Sequence, residues 1–378
     1  MSNVKNKKVF CAMSGGVDSS VAAALLKQKG YEVIGAHMKC YNVDGCAEQD
    51  AEDARRAAEV LGIPFYVFDF EKEYKEKVVK YMIDGYRSGI TPNPDVMCNK
   101  EIKFGLFLKK ALEMGADYVA TGHYVRLGVR GQGSGFSKTR KKSLYPIPYT
   151  LYAARDAQKD QSYFLWTLTQ DQLRHCLFPI GDYAKPEVRK LAKKFGLPNA
   201  EKKDSQGICF LGQVTLKDFL GNYLPQKRGL VLNTAGKVVG EHSGAHFYTI
   251  GQRHLGIKNY ESGIKGQNER RASYVAEKDI KTNTLLVAEG DDNPALFCKE
   301  VILKGVNLIN PIIHNSKFMT QVLARVRYRQ PLAKAKLILR SSQDLRLVFN
   351  KSQKFVASGQ SAVFYDDEGR MLGGGVIV

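Results

Sequence analysis

Seven consecutive residues, Ser14-Gly15-Gly16-Val17-Asp18-Ser19-Ser20, combine two glycines, three hydroxyls and one carboxylate. Glycines let the backbone approach an anion closely, and a helix beginning behind them adds unpaired N–H groups and the positive end of its dipole. The hydroxyls of Ser14, Ser19 and Ser20 supply further donors, while Asp18 could orient a metal ion or cap the helix. Ser, Asp and Gly also suit a plain capped helix, but this many hydroxyls beside two glycines exceed what capping needs. The lysine of a Walker A loop is absent, which argues against a γ-phosphate-cleaving P-loop enzyme. The chemistry to expect is the binding of a phosphate anion.

Two cysteines stand in contexts that suit reaction. Cys98 follows Thr91-Pro92-Asn93-Pro94-Asp95-Val96-Met97, made rigid by its prolines, and precedes a helix expected to begin near Lys100. A thiol at a helix N-terminus is stabilised as thiolate, the nucleophilic form. Asp95 could then act as acid or base on a bound heterocycle. Cys209 lies in Asp204-Ser205-Gln206-Gly207-Ile208-Cys209-Phe210-Leu211-Gly212, where glycines suggest a mobile loop and Lys202 and Lys203 would favour a thiolate. By local sequence alone, each cysteine could equally be inert. Cys40 and Cys46 lack a second pair at zinc spacing, Cys11 falls in an expected buried strand, and Cys176 and Cys298 read as structural. The histidines show no paired ligand spacing, so no metal centre is expected. His123, in Thr121-Gly122-His123-Tyr124, ends an expected strand, at the carboxyl edge where open α/β sheets place ligands.

These residues need elements to hold them. Strands are expected at Lys8–Met13, Tyr31–Met38, Phe65–Phe70 and Tyr118–Thr121, and helices at Val17–Gln28, Ala51–Leu61, Tyr74–Tyr86 and Lys100–Met114. Such alternation means an α/β fold with a buried parallel sheet. Helices at Gln161–Cys176 and Lys185–Phe195 would complete a catalytic domain over 1–212. Gly128–Pro148 carries glycines, prolines and the basic run Lys138–Lys142, the composition of a surface loop. Beyond it, short β-rich runs separated by turn residues suggest a small central β-rich domain (213–295) and a C-terminal β-barrel domain (296–378).

Composition narrows the partners. The 378 residues carry a net charge of +19, which predicts attraction to a polyanion: nucleic acid first, an acidic membrane surface second. No apolar run approaches the ~20 residues needed to span a bilayer, and no signal-peptide core is present. Seven scattered cysteines do not form a secreted disulfide framework. A reducing, cytoplasmic setting without a membrane partner follows.

The pattern SGGVDSS resembles the pyrophosphate loop of the ATP pyrophosphatase superfamily, whose members activate a carbonyl oxygen by adenylation and release pyrophosphate. With TPNPDVMCNKEIKF, ATGHY, KDQSYFL, DSQGICFLG, FYTIGQRHLGI, VRYRQP and SGQSAVFYDDEGRMLGGG, essentially the whole chain resembles the bacterial tRNA-specific 2-thiouridylase family. The resemblance implies a parallel-sheet catalytic domain, a small central domain and a β-barrel. It implies ATP held by Ala12, Met13, Ser14, Gly15, Gly16, Val17, Asp18 and Ser19 with Met38 and Gly122, and Mg²⁺ on the phosphates. Asn93, Pro94 and Asp95 would contact the target uracil. Cys98 would be the nucleophile paired with Cys209, the carrier of persulfide sulfur from an external donor. His123, Lys159, Asp160, Gln161, Arg327, Tyr328 and Gln360 would meet tRNA. Implied partners are tRNA and a cysteine desulfurase or sulfur-relay protein. The charge then becomes the grip on a folded tRNA. The insert Gly128–Pro148 departs from the family by being longer and more basic. Two weaker alternatives are an amide-forming ligase using the same loop, and an RNA-binding protein with a relic nucleotide site.

Overall fold

The computed structural model describes residues 6–43, 45–129, 149–204, 207–212, 214–253, 255, 272–309, 319–339 and 344–378. The expectation for the basic insert therefore lies almost wholly outside the described residues.

The N-terminal sheet has strands β1 (Lys8–Ala12), β2 (Glu32–Lys39), β3 (Phe65–Asp69) and β4 (Tyr118–Ala120). A hairpin, β5 (Arg126–Val129) and β6 (Tyr149–Tyr152), branches off before β7 (Cys176–Leu177) joins the sheet edge. The order is β3-β2-β1-β4-β7, all parallel. In β1, Val9, Phe10, Cys11 and Ala12 are all buried, as a strand covered on both faces requires. Successive strands step outward from β1 through β2 to β3, then β4 pairs on the other side of β1. The crevice at the carboxyl ends of β1 and β4 is thus a topological switch point, where this architecture binds ligands.

Helices α1 (Val17–Gln28) and α2 (Cys46–Val60) cover one face, and α3 (71–87) and α4 (94–113) the other. α4 is longer than the sequence suggests. It begins at Pro94, runs as a π-helix from Cys98 to Phe107 and returns to α geometry over Leu108–Glu113. Helix α5 (Lys185–Lys194) packs beside α1. The helix expected over Gln161–Cys176 is not one element. Only Ser162–Leu165 (3₁₀) and Gln170–Leu173 are helical. A capping box of Thr169 and Gln172 restarts the chain, and Cys176 is drawn into the sheet opposite Val119. Tertiary pairing wins over local propensity here.

A four-stranded sheet follows, from β8 (Gly229–Asn233), β9 (Val238–His242), β10 (Ser273–Asp279) and β11 (Thr284–Glu289). Six strands then close a barrel: β12 (Phe297–Leu308), β13 (Met319–Arg325), β14 (Ala333–Leu339), β15 (Leu345–Lys354), β16 (Ser361–Tyr365) and β17 (Met371–Ile377). Leu303, Leu337, Leu347, Phe349 and Phe364 fill it.

The barrel is fastened to the first domain by buried contacts. Trp166 donates to Ser361 Oγ (3.0 Å), and the Tyr163 hydroxyl donates to the Ser361 carbonyl (2.8 Å). A Cβ on Gly374 would stand 2.6 Å from the Trp166 ring, so glycine is required where β17 meets the indole. Asp160 and Arg325 form an ion pair of 2.8 Å with side chains only 2% and 7% exposed. Among the described residues, no helix is long and apolar enough to cross a membrane.

Candidate active site

The chain leaves β1 at Met13, whose N–H donates to Ala36 (2.8 Å), and Gly15 turns it with φ +78°. Helix α1 then begins behind Gly16 with no side chain capping its first turn. Ser19 Oγ instead accepts from the Ser14 N–H (3.1 Å) and donates to the Gly16 carbonyl (3.2 Å), closing the loop on itself. Asn199 donates to the Gly15 carbonyl and to Ser20 Oγ, both at 2.9 Å, and its own buried Oδ1 has no partner among the described residues. An uncapped helix start on a pinned glycine loop fits the phosphates of a nucleotide. Met38 closes the carboxyl end of β2 beside it, half-buried.

Asp18 neither caps α1 nor stands open for a metal. Its carboxylate accepts from Lys185 Nζ at 2.7 and 2.9 Å and from the Tyr124 hydroxyl at 2.8 Å. Among the described residues no cluster of histidine, cysteine and carboxylate side chains could hold a metal ion.

The tetrapeptide Thr121-Gly122-His123-Tyr124 connects this loop to the thiol helix. A Cβ on Gly122 would lie 2.6 Å from the Ser19 nitrogen, so only glycine lets the end of β4 rest on the loop. His123 is buried, hydrogen-bonded to Thr121 (2.8 Å) and flanked by the rings of Phe104 and Phe178. Burial first, and then the Lys103 charge, push its pKa well below the ordinary value, so it is a neutral imidazole. Tyr124 turns back to Asp18.

Asn93 caps α4 by accepting from the Val96 N–H (3.2 Å), with Pro94 at the first helical position. Cys98 is consequently the fifth helical residue, not one ahead of the helix. The expected dipole-stabilised thiolate does not arise: burial pushes the thiol up, with the Lys103 charge and a Tyr74 hydrogen bond opposing and Asp95 reinforcing. Burial raises Asp95 as well, again against Lys103. The π-helical stretch explains why Lys103 serves both. Five residues make somewhat more than one turn of a π-helix, so Lys103 falls near the Cys98 face, whereas α geometry would carry it well round. Cys98 forms no disulfide among the described residues.

Cys209 opens a 3₁₀ turn, Cys209–Leu211, between Gly207 and Gly212, which both have positive φ. Its neighbour Phe210 packs on the Tyr74 ring at 5.7 Å, and Tyr74 is the residue hydrogen-bonded to Cys98. The two cysteine segments therefore share one aromatic wall. Lys202, expected to favour a thiolate at Cys209, pairs with Asp50 (2.7 Å) and Asp53 (2.6 Å) on α2.

The remaining expected contacts divide. Lys159 pairs with Asp204 at 2.6 Å. Gln161 accepts from the Tyr124 N–H (2.9 Å). Asp160 is buried against Arg325 and also accepts from Ala154, so its carboxylate faces inward. Arg327 donates to the Ile250 carbonyl (2.8 Å), and the Tyr328 ring packs tilted against Phe164 at 4.5 Å. Gln360 reaches the carbonyls of Thr91 and Pro92. Sequence reasoning missed Lys103, Tyr74 and Lys185. The spacing of Lys103 from Cys98 would have been a signal only with the π register known.

A switch-point glycine loop, joined through one strand end to a helix bearing a carboxyl, a thiol and an ammonium, defines a nucleotide-using α/β enzyme domain with two β-rich domains attached. Comparison with known families agrees. Residues 7–213 match the tRNA methyl transferase HUP domain, 217–289 the tRNA methyl transferase PRC-barrel domain, and 299–377 the aminomethyltransferase beta-barrel domain. A tRNA-specific 2-thiouridylase of Geobacillus kaustophilus is 45% identical over 97% of this chain and 94% of its own. Those of Akkermansia muciniphila and Pasteurella multocida are 43% and 44% identical, over 97% and 99% of this chain and 98% and 93% of theirs. The chain belongs to the tRNA-specific 2-thiouridylase family.

Proposed function

We propose that this chain uses ATP to replace the C2 oxygen of the wobble uridine of tRNA by sulfur. The observation that carries the reading is the shared wall of Tyr74 and Phe210, which sets the Cys209 segment beside Cys98, Asp95 and Lys103, one strand end from the glycine loop. The matching domain descriptions speak of methyl transfer, but two thiol-bearing segments at one wall favour sulfur transfer.

In this reading 1–212 form the catalytic unit, 213–295 the central domain and 296–378 the barrel. Ala12 to Ser19, Met38 and Gly122 hold ATP, with Mg²⁺ on its phosphates. The uracil C2 oxygen attacks the α-phosphorus and pyrophosphate leaves. The terminal sulfur of a Cys209 persulfide then attacks C2 and AMP departs, leaving Cys209 joined to the base through a disulfide. Cys98 attacks the Cys209 sulfur, which frees 2-thiouridine and forms a Cys98–Cys209 disulfide that a thiol reductant reopens. In the other sequence, Cys98 first releases hydrosulfide from the persulfide, and hydrosulfide attacks C2. Asp95, with its raised pKa, can move the uracil proton. Asn93 and Pro94 border the base, which must leave the anticodon stack at a cost of a few kcal/mol. Lys159, Gln161, His123, Arg327 and Tyr328 belong to the RNA side, with Asp160 acting through Arg325 and Gln360 through the segment at Thr91 and Pro92. A cysteine desulfurase or relay protein loads Cys209, in the cytoplasm.

Mass spectrometry of wobble nucleosides after incubation with ATP, Mg²⁺, a sulfur donor and unmodified tRNA tests this. Appearance of 2-thiouridine is the expected result. Pyrophosphate release that depends on a small amine or acid rather than on tRNA would replace it with the ligase reading.

A further inference from the structure

We propose that Lys185 and Asp204 form a positioning link through which occupancy of the nucleotide loop is felt by the segment leading to Cys209. This rests on the function proposed above and adds residues and a coupling to it.

The observation is one ammonium shared by two carboxylates. Lys185 is 9% exposed. Its Nζ lies 2.7 and 2.9 Å from the oxygens of Asp18, in the first turn behind the glycine loop, and 2.7 Å from Asp204 Oδ1, five residues before Cys209. Asp204 is also gripped by Lys159 (2.6 Å) and Arg189 (3.1 Å). Arg189 donates in addition to the carbonyls of Ala200 and Lys202, and Asn199 holds the Gly15 carbonyl, so residues 199–204 are laid along the loop. Burial opposes ionisation of Asp204, but hydrogen bonds from Lys159 and Lys185 outweigh it and draw the carboxyl down to about 2. Asp204 is therefore charged throughout the neutral range.

An ammonium has three protons to give, and here all three are directed at carboxylate oxygens. A polyphosphate at the glycine loop brings new anionic oxygens beside Asp18, and they compete for the same protons. Each proton given to phosphate is withdrawn from Asp18 or Asp204. Arrival of the nucleotide and departure of pyrophosphate thus alter the hold on Asp204. Lys159, on the proposed RNA side, bears on the same carboxylate. Activation of the base and presentation of sulfur become linked events.

The test is the ratio of 2-thiouridine formed to tRNA-dependent pyrophosphate released, measured on the full chain with melting temperature as a fold control. Asp204→Asn is expected to keep pyrophosphate release within about threefold of wild type while the ratio falls at least tenfold. Asp204→Glu keeps the charge but displaces it. It serves where Asp204→Asn is unstable, and is expected to lower the same ratio severalfold. Lys202→Gln cuts the tie of the same segment to α2 without touching Lys185, and should leave the ratio unchanged. A wild-type ratio in both Asp204 variants overturns the link, and so does an equal fall in Lys202→Gln, which would mean general loosening. Wild-type protein that releases no tRNA-dependent pyrophosphate overturns the functional reading instead.

Discussion

The side-chain amide of Gln360 donates to the backbone carbonyl of Thr91 at 2.9 Å and to that of Pro92 at 3.2 Å. Beside it the Thr91 N–H donates to the Ser358 carbonyl (2.7 Å), and a Cβ on Gly359 would come within 2.9 Å of the Thr91 backbone. A turn of the barrel domain therefore clamps the segment that leads into α4, the helix carrying Asp95 and Cys98. Gln360→Ala removes two bonds worth about 0.5–1.5 kcal/mol each. Turnover should fall roughly tenfold with tRNA affinity nearly unchanged. A matching loss of tRNA affinity, read by filter binding, would make Gln360 an RNA contact first.

Cys98→Ser and Cys209→Ser should each abolish thiolation, measured by nucleoside mass spectrometry, while tRNA binding stays within a few-fold. Thiolation surviving in either variant removes the two-thiol mechanism.

Lys103 opposes the burial that raises Cys98 and Asp95. Removing its charge raises both pKa values further. In Lys103→Met the rise of Cys98 alkylation with pH should therefore move to higher pH, and alkylation at pH 7.5 should slow by roughly three- to tenfold, the effect of half to one pKa unit. Peptide mass spectrometry isolates Cys98 from the other thiols. An unmoved profile would place Lys103 outside the site.

The Asp160–Arg325 pair is buried on both sides. Arg325→Met strands a carboxylate in the junction between the catalytic domain and the barrel and should cost about 3–5 kcal/mol in urea unfolding. Adding Asp160→Asn should recover part of that loss, since the group left behind is then neutral. Two independent, additive losses would show that the pair is not coupled.

Asp204 gives the network a pH signature. Its carboxyl is depressed from 3.8 to about 2 on folding, so its stabilising contribution is fully present above about pH 4 and is lost as pH falls toward 2. The stability difference between wild type and Asp204→Asn should be constant from pH 7 to about pH 4 and then shrink. Urea midpoints across that range decide it, and a difference independent of pH would contradict the assigned partners.

Much of the fold was legible because it is written locally. The alternation of apolar strands and helices announced the parallel sheet, and glycines with hydroxyls announced the loop behind β1. The site was less so. That Asp18 is engaged by Lys185 depends on a partner 167 residues away. The raised thiol of Cys98 depends on burial that only the assembled core supplies. The helix expected across Gln161–Cys176 failed because Trp166 and Tyr163 are claimed by the barrel and Cys176 by the sheet, partners that no window of that length contains.

The clamp on Thr91 also bears on how the protein is made. Gln360 lies 269 residues after its partner in the chain, so a ribosome completes Thr91, Pro92 and the start of α4 long before the residue that clamps them exists. During synthesis the segment leading into α4 lacks this clamp until the barrel residues follow. The start of α4 should therefore gain its final alignment late, as the barrel closes.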